Sequence, residues 1–358
     1  MEENTLPEGR DGRAAASESG RAATGVFDDT AQAQPDAGGG GPGPIPVDIE
    51  DGHQPWGAAL EPVLRRACND RLGEVTWFRT DWQRGGALTG YAHYHADDDR
   101  EHEVVVKLPV PPAERRWLER LQAGDDVAPV LYAHGESLNG YDMAWVVMER
   151  LAHGPLGATW QGAAFDLLIE AAGRFYAAAE AHPLTGTPRE VDWPKVCDQA
   201  RRAVRTHSLA DGQRWNNALK KAQKKLKDWL AVWNDRPIQN WCHGDLHLGN
   251  GMTRTPAPQG PALLIDYAQT RPGHWVEDAV YFEHLFWGRR ERLEGRKLCR
   301  QLAHERKNPG LKVDEHWPQL AGVKRALLAM ATPTTLDAAG DPTYVAGALQ
   351  VLEVEAGV

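Results

Sequence analysis

Cysteine is scarce in this sequence: four residues in 358, Cys68, Cys197, Cys242 and Cys299, with no paired spacing among them. That argues against a disulfide framework or a cysteine-based zinc site, and it fits a reducing compartment, the cytoplasm. Long apolar runs are missing as well. None approaches the ~20 residues a membrane helix needs, and no signal-peptide pattern opens the chain, so no membrane partner is expected. Lysine is nearly absent from the first half: Lys107 is the only one before Lys195, in a stretch that holds fifteen arginines. The body also lacks a strong charge of either sign. The net charge is −10, but residues 1–50 carry ten acids against three arginines, which leaves −3 for the other 308. A body so nearly balanced does not support a global acidic field for cationic substrates, although a local patch stays open.

What is present divides into three stretches. Residues 1–52 are rich in Gly, Ala, Asp and Pro, with too few apolar side chains to close a core, and are expected to be a disordered acidic tail. Residues 53–152 hold short β-type runs at 75–78, 91–95, 104–108, 130–133 and 144–148. One helical segment, 114–121, follows the Pro111-Pro112 pair. Residues 153–358 turn helical, with apolar residues at helical intervals over 165–181 and 215–233, and further helices expected near 276–287, 292–305, 319–331 and 344–354. The lysine run from Lys220 to Lys227 lies on the second of these helices, beside Leu219, Leu226 and Trp229. It reads as a solvated basic face, so no nucleic-acid partner is expected.

Between 233 and 276 stands the most informative stretch, His243-Gly244-Asp245-Leu246-His247-Leu248-Gly249-Asn250, followed by Ile265-Asp266-Tyr267. Phosphoryl transfer needs a carboxylate to orient and deprotonate the acceptor hydroxyl, and oxygen ligands to hold Mg²⁺ on the triphosphate. Asp245 suits the first task. Asn250, five residues on, and Asp266, across a short hairpin tipped by Pro256, Pro258 and Gly260, suit the second. Residue frequencies give such a constellation a chance occurrence on the order of 1 in 100,000, which sets it apart from an Asx-rich turn joining two strands. His247 has no second His or Cys at ligand spacing and reads as a packed loop histidine rather than a metal ligand.

The loop and the Ile-Asp-Tyr strand end resemble those of the aminoglycoside phosphotransferase and choline kinase family, in which the loop reads His-Gly-Asp-x-x-x-x-Asn. The resemblance implies an α+β, bilobal protein-kinase-like fold with a small β-rich N-lobe carrying one helix and a larger, mainly helical C-lobe. The β-β-β-α-β-β order of 53–152 is that of such an N-lobe. It implies ATP and Mg²⁺ as cofactors, a small-molecule hydroxyl as acceptor (amino sugar, amino alcohol or sugar), Asp245 as base, and His243 orienting the loop through backbone hydrogen bonds. Asp278 matches the family's aspartate that braces the loop. Lys107 is the phosphate lysine, since a compact ammonium suits the α/β-phosphates. Its helical partner is Glu114, followed by Leu118 and Leu121 in the family's pattern, with Glu119 as the competitor. Gly85 and Gly86 lie where the phosphate-covering loop belongs, and Met148, Glu149 and Leu151 where an inter-lobe hinge reads adenine through its backbone. Two rivals share the fold. Gly244 in place of Arg and the lack of an Ala-Pro-Glu segment oppose a protein Ser/Thr kinase. Retention of Lys107, Asp245, Asn250 and Asp266 together opposes a pseudokinase scaffold.

Overall fold

The computed structural model describes residues 54–78, 87–97, 100–158, 162–336 and 340–358. The expected tail at 1–52 and the expected phosphate-loop residues Gly85 and Gly86 lie outside them. The architecture is α+β.

Alternation of buried and more exposed positions in β-type runs builds the centre of the first part. Strands β1 (Thr76–Phe78), β2 (Leu88–His95), β3 (Glu101–Leu108), β4 (Leu131–Gly135) and β5 (Trp145–Glu149) form one antiparallel sheet in the order β1-β2-β3-β5-β4. Successive side chains point to opposite faces, so Val104, Val106 and Leu108 of β3 join Ala92, Tyr94, Trp145 and Val147 in one core. The intervening positions Val105 and Lys107 face the other way. Helix α1 (Gln54–Ala67) and the turn after it cover the apolar face with Leu64, Cys68 and Leu72. Helix α2 (Pro112–Arg120) follows β3 and carries Glu114.

The sheet region therefore has two helices where one is expected. Gly57 and Pro62 mask α1 in the sequence, because both residues weaken a helix interior. Tertiary contacts hold it regardless: the Glu61 carboxylate accepts from the Val75 N–H and the Trp77 indole N–H, each at 3.2 Å.

The second part is helical. Helix α3 (Gly162–Glu180) runs through its middle and buries Phe165, Leu168, Ala172 and Phe175. Around it lie α4 (Trp193–Thr206), α5 (Gly212–Asn234), α6 (Val276–His284), α7 (Leu298–Glu305), α8 (Trp317–Ala331) and α9 (Pro342–Ala356). Helix α4 is not foreseen above, although its signals are present. Asp192 caps it by accepting from the Lys195 N–H at 3.0 Å, and Trp193, Val196, Cys197, Ala200 and Val204 recur at helical spacing. The helix expected over 292–305 begins only at Leu298, because Glu294 and Gly295 take left-handed backbone at φ +49° and +79°. Two strand pairs are set between α5 and α6: β6 (Asn240–Cys242) with β9 (Arg271–Gly273), and β7 (Gly251–Thr253) with β8 (Ala262–Leu264). Among the described residues no helix is long and apolar enough to cross a membrane.

Candidate active site

The loop from 243 to 250 leaves β6 and ends where β7 begins, and the β7–β8 hairpin returns the chain to Asp266. Pairing of Gly251 with Leu264 thus sets Asn250 and Asp266 at the open end of one hairpin. Asp245 is buried and its carboxylate is held from several sides. Asn250 donates its side-chain N–H to Oδ2 at 2.9 Å and to the Asp245 main-chain oxygen at 2.9 Å. Tyr281, one turn after Asp278 on α6, donates its hydroxyl to Oδ1 at 2.7 Å. The His247 Nδ1 accepts from the Gly249 N–H at 3.0 Å, so its proton sits on Nε2, 3.4 Å from Oδ1. His247 is thus a loop residue beside Asp245, and among the described residues no cluster of three His, Cys, Asp or Glu forms a metal cage.

The loop's start is pinned by Asp278. One oxygen accepts from the His243 N–H at 2.8 Å and the Tyr176 hydroxyl at 2.8 Å, and the other from the Gly244 N–H at 2.9 Å. The His243 ring is fully buried between Phe175 and Tyr267, with Nε2 donating to the Ile265 carbonyl at 3.1 Å. Burial lowers its pKa, against the pull of Asp278, Asp245 and Asp266, and keeps the ring neutral. His243 therefore ties the loop to the end of β8 and does not reach the open side of the site. Gly244 takes φ +88°, and a Cβ there would lie 2.2 Å from the Gln269 carbonyl oxygen. Only glycine fits, which gives a steric reason for the Gly where protein kinases have Arg.

On the sheet side, Lys107 meets Glu114, with Nζ at 2.7 and 3.0 Å from the two carboxylate oxygens. Glu119, the competitor, is 53% exposed and bonds Arg115 at 3.1 Å instead. Burial opposes the charge on Lys107, but the carboxylates of Glu114 and Asp266 outweigh it and hold its pKa above the usual value. Asp266 thus lies close enough to act on Lys107 across the gap between sheet and hairpin. It takes left-handed backbone at φ +62°, an uncommon conformation that Asp tolerates and that turns the chain out of β8.

The hinge positions are more occupied than expected. Met148 packs against the larger core and Leu151 is buried. Glu149 donates its N–H to the Val130 carbonyl at 2.8 Å, and its carboxylate takes a two-pronged bond from Arg254 at 2.6 and 2.8 Å. Arg254 also pairs with Asp126. Glu149 is therefore a clasp between β5 and the hairpin. Tyr281 is the residue the sequence reading missed; an aromatic hydroxyl at i+3 from Asp278 on the same helix face was the available signal.

Residues 88–322 match the model of the phosphotransferase enzyme family. None of the curated proteins matches the chain by sequence. Among solved structures, a microcompartment-associated aminopropanol kinase superposes with a TM-score of 0.52 at 14% identity, covering 83% of this chain and 95% of that one. A spectinomycin phosphotransferase bound to ADP and spectinomycin gives 0.49 at 10% identity, covering 83% and 93%. An aminoglycoside phosphotransferase from Streptomyces rimosus gives 0.43 at 18% identity, covering 78% of this chain and 98% of that one.

Proposed function

The chain belongs to the phosphotransferase enzyme family and is a small-molecule kinase of protein-kinase-like fold, and on that footing we propose that it moves the γ-phosphate of ATP to a hydroxyl of its acceptor. The observation that carries the reading is the Lys107–Glu114 ion pair within electrostatic reach of Asp266, which stands with Asn250, the partner of Asp245, at the open end of the β7–β8 hairpin. Asp245 takes the acceptor hydroxyl proton as the new O–P bond forms and the bond from the γ-phosphorus to ADP breaks, its electron pair leaving with ADP. Lys107 neutralises the α/β-phosphates. Asn250 gives its amide N–H to Asp245, which leaves its carbonyl oxygen, with the Asp266 carboxylate, as the hard oxygen donors that would hold Mg²⁺. Bound Mg²⁺ supplies charge compensation on the triphosphate.

Residues 53–152 serve the nucleotide in this reading and 153–358 the acceptor, which is of amino sugar, amino alcohol or sugar type. Four unpaired cysteines, all buried, and the need for ATP support the cytoplasm. The test is ATP consumption over a panel of amino sugars, amino alcohols, sugars, sugar acids and nucleosides, run beside Asp245→Asn. Acceptor-dependent turnover should fall at least about 100-fold in that variant. Undiminished turnover in a folded Asp245→Asn protein would sink the assignment.

A further inference from the structure

His247 stands two residues beyond Asp245 in extended backbone, φ −153° and ψ 167°, at the head of the turn Leu248–Asn250. Its ring lies against Gly249, and only a residue without a side chain leaves room for it. A Cβ at 249 would lie 2.7 Å from the His247 Cε1 and 2.8 Å from Nδ1. The Gly249 N–H donates to Nδ1 at 3.0 Å, which assigns the ring proton to Nε2. That nitrogen is 3.4 Å from the Asp245 Oδ1, and the two side chains are only 22% and 12% exposed. The Tyr281 hydroxyl donates to the same oxygen at 2.7 Å, while Asn250 donates to Oδ2 at 2.9 Å.

The terminal torsion of an aspartate is broad, so a carboxylate left to itself turns easily. One that must meet an acceptor hydroxyl in line with phosphorus gains from being held, because a displacement of about 1 Å can cost on the order of 100-fold in rate. Asn250 holds one oxygen and Tyr281 the other. His247 brings a further donor to the oxygen that Tyr281 holds. At 3.4 Å this donor stands just outside bonding distance, and such contacts tighten when the reacting complex forms. Since Nε2 carries the proton, the ring meets Asp245 as a donor and not as a second base.

We infer that His247 is a positioning residue for Asp245: its Nε2–H closes on Oδ1 in the reacting complex and, with the Tyr281 hydroxyl, fixes the plane of the carboxylate. The inference rests on the phosphotransfer reading of Asp245. It gives the loop histidine a part in the reaction beyond capping its own turn through Nδ1. Two donors on one oxygen share a task, so each covers part of the other's loss.

Substitution separates the two ring nitrogens. Glutamine carries an amide N–H to about the Nε2 position, which keeps the donor to Asp245 and loses the acceptor for Gly249. Asparagine keeps an oxygen for the Gly249 N–H, as a cap residue does, and is too short to reach Asp245. Turnover of Mg·ATP is followed with water as acceptor and with the best acceptor of the panel above. His247→Gln should keep kcat within about twofold, and His247→Asn should lower it about threefold, with KM for Mg·ATP unchanged in both. In a Tyr281→Phe background, His247→Asn should lower kcat about tenfold or more, because the other donor is already gone. The reverse order, with kcat lost in His247→Gln and kept in His247→Asn, would assign His247 to its turn alone and overturn the inference. A second readout needs no turnover. In the full chain labelled with ¹⁵N-histidine, the His247 Nε2 resonance, identified by its loss in His247→Gln, should move when Asp245→Asn removes the carboxylate charge. A resonance that stays in place overturns the inference. Turnover lost in Asp245→Asn but indifferent to every His247 variant overturns the inference alone, whereas turnover that survives Asp245→Asn overturns the phosphotransfer reading and the inference with it.

Discussion

Tyr281 and Lys324 carry the two residue-scale expectations, and they differ in kind. Tyr281→Phe keeps the ring that packs on His284 and removes only the hydroxyl on the Asp245 Oδ1. A hydrogen bond to a charged acceptor contributes about 1.5–3 kcal/mol where water cannot replace it. Tyr281 is partly exposed, so water recovers part of that, and kcat should fall roughly tenfold with KM for ATP unchanged. Steady-state kinetics decides, and a raised ATP KM at constant kcat would place Tyr281 outside the acceptor chemistry. Lys324 bears on stability. Its folded pKa, about 8, lies below its ordinary value of 10.5, so below pH 8 the native state holds a charge it would rather release. The cost is full there and disappears as pH rises through 8 towards 10.5. Lys324→Met should therefore raise Tm at pH 7 by roughly 2–4 °C, a gain that shrinks by pH 10; a gain independent of pH would show packing, not charge, to be the cause.

At the scale of elements, α6 does more than any other to shape the site. One helix face carries Asp278, which pins the loop at His243 and Gly244, and Tyr281, which pins Asp245. Asp278→Ala would leave the buried His243 N–H, the part-buried Gly244 N–H and the buried Tyr176 hydroxyl unpaired. It should cost about 3 kcal/mol or more in urea unfolding. Asp278→Asn keeps one acceptor and should stay folded, with kcat reduced and nucleotide affinity nearly intact. A fully active Asp278→Ala protein would mean that the loop holds itself. The strands were the easiest elements to read, because β3 alternates Val104, Val106 and Leu108 against Lys107 without interruption. The helices were harder. Gly57 and Pro62 disguise α1, and the left-handed pair Glu294-Gly295 divides a periodic stretch that looks continuous.

For the whole molecule, the decisive question is whether sheet and hairpin close on one nucleotide. Lys107 belongs to β3, Asp266 follows β8, and the Glu149–Arg254 clasp joins the two parts. Ligand that binds only the folded state raises stability by mass action, about 2.7 kcal/mol at 100 times Kd. Mg·ATP should thus raise Tm of the intact protein by several degrees. The rise should vanish in Asp266→Ala and be partly kept in Asn250→Ala, because a carboxylate compensates more metal charge than an amide. Thermal melts with and without Mg·ATP test the order, and an undiminished rise in Asp266→Ala would remove that residue from the metal site.

The sequence by itself determined the chemistry that is local in the chain. The loop 243–250 and Asp266 lie within one hairpin of each other, so their spacing alone brings them together, and seven residues separate Lys107 from the Glu114 it meets. Strand alternation likewise set which face of β3 the lysine takes. What depends on contacts between distant segments was decided only by the tertiary structure. Glu114 rather than Glu119 meets Lys107 because α2 docks with that side inward, burying Glu114 while Glu119 stays exposed. Tyr281 reaches Asp245 across 36 residues of sequence, and Lys324 comes to the indoles of Trp193 and Trp233 from a helix about ninety residues further on than the latter. No periodicity or motif encodes such a meeting, since it depends on how α4, α5, α6 and α8 pack, and packing is set by the joint shape of many side chains.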